Sequence, residues 1–272
     1  MKRLAVSASV ASVAALAALT LPLPALAHMP WLLPSATLVT APDGMVSIDA
    51  VVSEDLFVFE RALDVDAPHI VGPNGVQVTA QNIVRARNHV SFELTLPVEG
   101  CYRVSQSSTQ WMISFMQDGK LQRKRGGVEA LPAGAELKSV VQMRSRQETF
   151  VSRERAGTPD FAPEAQGLEL QALSAVTDLS DGDHTRLRLL RDGLPLPDAT
   201  VTLRREGNRW RYDSGEQTLH TDARGEVTIA WTQPGRYWLG ASAGARQGED
   251  GGTAAAPLLR DSISATFEVL PR

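Results

Sequence analysis

Short runs in which apolar and polar residues trade places recur along most of this chain, at Met45–Val52, Val90–Leu96, Leu187–Leu190, Ala199–Leu203, Glu226–Trp231 and Ser264–Leu270. A period near two puts successive side chains on opposite faces of a strand, so each run predicts a strand with a buried face. Turn-forming clusters separate them, among them Pro42-Asp43-Gly44, Pro73-Asn74-Gly75, Asp192-Gly193 and Asp222-Ala223-Arg224-Gly225. No long amphipathic helix emerges, and short strands punctuated in this way predict antiparallel sandwiches. The expectation is an all-β chain of two antiparallel immunoglobulin-like β-sandwiches. The first begins at residue 28 and, with a basic extension and a linker, runs to 165; the second spans 166–272.

A faint internal repeat supports two units. Pro97-Val98-Glu99-Gly100-Cys101-Tyr102 and Pro234-Gly235-Arg236-Tyr237 each place a proline, a glycine and then a tyrosine at the head of a strand. In immunoglobulin-like domains such a tyrosine bonds back to the backbone, so Tyr102 and Tyr237 are read as architectural. Between the units lie the cations Lys120, Arg123, Lys124 and Arg125, then Arg144, Arg146, Arg153 and Arg155 flanking a further strand at Glu148-Thr149-Phe150-Val151. These arginines suit a docking surface for an acidic partner or anionic lipid, or a solvated face paired with Glu129, Glu136, Glu148 and Glu154. Thr158-Pro159-Asp160-Phe161-Ala162-Pro163 reads as a stiff linker.

At 272 residues and 43% hydrophobic content the chain can bury two cores, and its formal charge of −4 argues against a nucleic-acid partner. Its single cysteine, Cys101, permits no internal disulfide and sits in a strand-like run, as a buried structural thiol does. Neither a nucleophile–base pair, a zinc-protease motif nor a phosphate loop is present, so the chain is not expected to be an enzyme.

The start of the chain carries the most chemistry. Met1-Lys2-Arg3, an apolar run from Leu4 to Leu21 and small residues at Ala25 and Ala27 make the pattern of a cleavable signal peptide over residues 1–27. Beyond this leader the sequence holds no apolar span, so the expectation is an exported, periplasmic protein. Cleavage would leave His28 first, with its α-amine and imidazole Nδ1 able to chelate one ion. Nitrogen donors suit nickel, copper and zinc. A second imidazole is needed to complete a brace. His89 is the first choice and His69 the second, both in the same unit as His28, whereas His184 and His220 read as solvated strand ends. Met29 is read as core beside Trp31 and Leu32.

The segment Ala27-His28-Met29-Pro30-Trp31-Leu32-Leu33-Pro34, with Glu54-Asp55-Leu56-Phe57, Glu148-Thr149-Phe150-Val151, Gly167-Leu168-Glu169-Leu170 and Gly235-Arg236-Tyr237-Trp238-Leu239, resembles the periplasmic NikM-like family, also catalogued as a domain of unknown function. Arg191 to Leu203 and Leu219 to Thr228 resemble carboxypeptidase-regulatory-like and bacterial immunoglobulin-like modules. The first resemblance implies association with nickel or cobalt uptake, with a divalent transition metal (Ni, Co or Cu) as cargo and a membrane metal-transport component as partner. Two functions follow as expectations: a metal-binding accessory using His28, or a noncatalytic interaction module of the cell envelope. A copper-dependent oxidative enzyme, which also begins with histidine, finds little support because no planar aromatic array is evident.

Overall fold

The computed structural model describes residues 28–159, 161–212, 215–246 and 248–272; the leader read in residues 1–27 lies outside them. Eleven strands form in the first part: β1 Met29–Pro34, β2 Leu38–Val39, β3 Met45–Ser53, β4 Arg61–Ala62, β5 His69–Val71, β6 Gln77–Val78, β7 Gln81–Arg85, β8 Val90–Thr95, β9 Gly100–Gln117, β10 Lys120–Arg125 and β11 Glu136–Arg153. Nine follow: β12 Leu168–Ala172, β13 Leu179–Ser180, β14 His184–Arg191, β15 Leu194–Pro195, β16 Thr200–Arg205, β17 Gln217–His220, β18 Glu226–Ala230, β19 Gly235–Gly244 and β20 Leu258–Leu270. The all-β expectation holds, and the six predicted runs all fall on strands.

The two parts share one topology. In the first, β1-β3-β8-β7 make one sheet and β2-β11-β9-β5-β6 the other; in the second, β12-β14-β18 face β13-β20-β19-β16-β17. This is the immunoglobulin-type division of strands between two sheets. Each unit has its tyrosine corner. Tyr102 Oη donates to the Val98 carbonyl at 2.7 Å and accepts from the Val98 amide at 2.8 Å, and Tyr237 Oη donates to the Gln233 carbonyl at 2.7 Å. The glycines ahead of them, Gly100 and Gly235, hold φ of 121° and 136°, a region that side-chain-bearing residues rarely adopt.

The units are not beads on a string. β11 and β20 pair in parallel from Val141↔Leu258 to Thr149↔Thr266, which fuses the two second sheets into one of eleven strands. Thr149 and Thr266 join hydroxyls across this seam at 2.8 Å. Strand alternation then sends the two cores to opposite faces. Tyr102, Val104 and Val151 point toward Ile48, Phe92 and Leu94 of the first unit, while Phe150, Phe267, Ala265 and Leu239 point toward Leu170, Leu187 and Ile229 of the second. The result is three layers, with an approximate two-fold axis running along the strands between β11 and β20. The parallel pairing departs from a purely antiparallel expectation, and β2–β11 and β13–β20 are parallel as well.

Because each outer sheet covers only half of the fused sheet, each half keeps one face with no partner sheet. In the first half that face is covered by the segment read as a linker. Glu164 pairs with Arg146 at 2.7 Å and with Arg103 at 2.7 Å, and Phe161 lies beneath the Arg103 guanidinium at 5.3 Å. Hydrogen bonds from Arg146, with Arg103 close by, hold the Glu164 carboxyl down at about 2 despite its partial burial.

Candidate functional site

The uncovered half of the fused sheet forms the floor of a groove of about 440 Å³ whose rim is His28. Its floor comes from alternate residues of four strands: Gln147, Ser262 and Ser264, Thr200 and Thr202, and Ser242 with Gly240. The Ser264 hydroxyl donates to the Pro30 carbonyl at 2.7 Å, and Trp238 Nε1 donates to the same carbonyl at 3.0 Å, so these two bonds seat the first strand on the sheet. The Trp238 ring lies across Gly240, where even a Cβ would come within 2.1 Å of the indole. Only glycine allows that ring to lie flat here.

His28 is held at this rim by the turn that follows β3. The Glu60 carboxylate accepts the amides of Glu54 and Asp55 at 2.8 and 3.1 Å, and Phe57 adopts φ of 62° within the turn. That fixes Glu54 opposite His28, with Nδ1 3.6 Å from Oε1 and both side chains half-exposed. Met29 is buried with Trp31, Leu33, Val51 and Leu56, as the sequence suggested, and Arg204 Nη1 lies 3.1 Å from its sulfur.

Neither His89 nor His69 meets His28. His89 sits two strands away on the same sheet and, by register, three residues along, a backbone separation of roughly 14 Å. Its ring stands edge-on to Phe59 at 5.2 Å and its Nδ1 lies 3.0 Å from Asn88 Oδ1. Phe59 in turn packs on Trp31. His69 belongs to the covered face, with Nδ1 3.0 Å from Glu164, on the opposite side of the fused sheet from the groove. Among the described residues no three His, Cys, Asp or Glu side chains gather as a metal cluster. What His28 has beside it is one carboxylate. A processed terminus would add its α-amine, giving an amine, an imidazole nitrogen and a carboxylate oxygen, an open set suited to a first-row divalent ion.

One feature of this end escaped the sequence reading. Between β16 and β17 the chain runs Arg209-Trp210-Arg211-Tyr212, and there Trp210 is 80% exposed and Tyr212 fully so. Arg211 clamps the loop by donating to the carbonyls of Arg205 and Glu206 at 3.0 and 2.8 Å. Arg209 stacks over Trp210 at 5.5 Å and reaches Asp55 at 4.0 Å, which ties the loop to the turn that carries Glu54. Alternating arginine and aromatic residues inside a turn-rich segment were the available signal.

Cys101 is buried beneath the covered face, and burial pushes its thiol up to about 12, so it is inert at neutral pH. Among the described residues no helix is long and apolar enough to cross a membrane.

The chain belongs to the family described as a domain of unknown function (DUF4198), which it matches over residues 25–244, from the segment before His28 to the end of β19. No curated protein matches it. Among solved structures it is similar to the D0–D1 domain of intimin, at 14% identity over 87% of this chain and 97% of that one, with a TM-score of 0.21. A Salmonella alpha-2-macroglobulin matches at 15% identity over 89% of this chain and 15% of that one, with a TM-score of 0.23. A marsupial T cell receptor matches at 13% identity over 90% and 73%, with a TM-score of 0.21. Likenesses this distant carry no argument about fold or function; the immunoglobulin-type arrangement rests on the strand order itself.

Proposed function

We propose that this member of the family is an exported, noncatalytic metal-handling accessory of the cell envelope, as the NikM-like resemblance of its sequence implies. In this reading the processed terminus captures a divalent transition-metal ion as cargo, nickel, cobalt or copper, and passes it to a membrane component. The observation that carries it is the pairing of His28 Nδ1 with Glu54 at the exposed rim of the groove. Structural zinc sites are closed by four protein donors, whereas a site with fewer protein donors leaves a position open to an incoming ligand. Three donors at a solvent-facing rim suit transfer. Glu54 replaces His69 and His89 as the supporting ligand we assign.

The test is calorimetric titration of protein beginning at His28 with Cu(II), Ni(II), Co(II) and Zn(II), beside the same protein extended by one alanine. A single site that the extra alanine weakens by about tenfold or more supports the terminal chelate. Equal binding by the two proteins, or none, ends it.

A second reading, an interaction module with no metal role, is favoured by the exposed pair Trp210 and Tyr212. Tryptophan, tyrosine and arginine are the residues that most often anchor protein interfaces. A loop already clamped by Arg211 would lose little freedom on binding.

A further inference from the structure

β9 and β11 are each 18 residues long, far more than either sandwich needs. Their outer halves, with β10, form a three-stranded extension that carries a small core of its own: Ile113, Phe115 and Val140, flanked by Trp111, Leu131 and Leu137. No residue of this extension joins the core of either unit. What it presents is β10. All six residues, Lys120 to Arg125, are exposed, and β10 pairs only with β9, so its outer edge is open among the described residues.

The charges on this strand differ in kind from the other arginines of the same region. Arg144 is bound by Asp192 and Asp261, Arg146 by Glu148 and Glu164, Arg155 by Glu99, and Arg153 by the carbonyls of Leu96 and Pro42. Lys120, Arg123, Lys124 and Arg125 have no ion-pair partner among the described residues. Of the nearby carboxylates, Glu136 is engaged by Lys138, Glu129 by the Gly127 amide and Glu249 by the Arg246 amide, and Glu249 and Asp250 line a cavity beside Arg123 without forming an ion pair with it.

The edge is also ready to pair. Asp118 and Gly119 both hold positive φ, the two-residue turn that joins tightly paired strands. Gln117 and Lys120 close that turn as a hydrogen-bonded pair, and the alternation of an antiparallel ladder then turns the amides and carbonyls of Leu121, Arg123 and Arg125 outward. Cationic side chains keep two copies of such an edge from pairing with each other, and the same charges favour a strand of opposite sign.

We propose that β10 is a docking strand for an acidic, extended segment of another protein, which adds to the fused sheet as its next strand. Backbone bonds along the open edge would supply affinity, and carboxylates facing Arg123, Lys124 and Arg125 would supply selection. The probe is a short synthetic peptide alternating glutamate and valine, titrated into the full chain by fluorescence anisotropy. Its controls are the same peptide N-methylated at alternate residues and vesicles rich in phosphatidylglycerol. Binding that falls about tenfold or more on N-methylation, and again in an Arg123→Glu/Lys124→Glu double variant with an unchanged unfolding midpoint, supports the proposal. Equal binding of the methylated peptide reduces the strand to a nonspecific cationic surface and overturns it. Absence of peptide binding overturns it too, and if the vesicles bind instead, the surface faces lipid.

Discussion

The two halves of the fused sheet have the same strand order and opposite fates on the face that no sheet covers. Around Arg103 and Arg146 the connecting segment lies across the sheet, and Glu164 neutralises what it covers. Around Thr202 and Ser262 the equivalent face is bare, lined by hydroxyls and bounded by His28. A connecting segment can cross only one of the two faces, because it passes once from the first unit to the second. Duplicating a sandwich and joining the copies edge to edge therefore creates a buried polar site and an open groove from one pattern. The first is closed by ion pairs, and the second stays open to solvent.

The sharpest way to break this contrast is at Glu164. Glu164→Gln leaves Arg146 short of a partner in a place that is nearly buried, and we expect a loss of about 3 kcal/mol in urea unfolding. The wild-type protein carries its own control. The folded value of this carboxyl is depressed to about 2, so its contribution is whole above the ordinary carboxylate range and is lost as pH falls toward 2. Unfolding midpoints measured from pH 6 down to pH 2 should decline more steeply in wild type than in the glutamine variant; parallel curves would remove Glu164 as the cause.

A smaller effect compares the two tyrosine corners. Tyr102→Phe loses two backbone bonds and Tyr237→Phe one, so the first should cost about 2 kcal/mol and the second about 1. Equal losses would mean that the two corners are equivalent despite their different bonding. The smallest effect belongs to the bare side. Thr202→Val and Trp210→Ala should each move stability by less than about 0.5 kcal/mol, since Thr202 lines the open groove and Trp210 is exposed. A loss as large as that at Glu164 would show the groove to be structural after all.

Much of the fold was readable. Local alternation marked the strands, and the proline-glycine-tyrosine repeat marked equivalent positions in two units because a tyrosine corner is built from residues four apart. The seam was not. Nothing local in Val141–Thr149 says that its partner is Leu258–Thr266, since parallel neighbours are chosen by tertiary packing. The linker misled for a related reason: Thr158 to Pro163 has the composition of a spacer, but Phe161 and Glu164 meet Arg103 and Arg146, the farther of them 61 positions from Glu164, only through the fold. At the candidate site, His28 was legible from its position and Glu54 was not, because its placement depends on Glu60 folding back on the turn. His69 and His89 drew notice as histidines, yet strand register sends one to the opposite face and the other two strands away.

The seam also sets an order of assembly. A chain made from its first residue finishes β11 long before β20 exists, and during that interval residues 141–149 are an unpaired border with the hydrogen-bonding groups of a sheet on display. Arg144 waits there without Asp261, which arrives only with the last strand. The thirteen residues of β20 thus cover that border and complete the second sandwich with one strand. The second unit serves, among its other roles, as the lid that retires an association-prone border of the first.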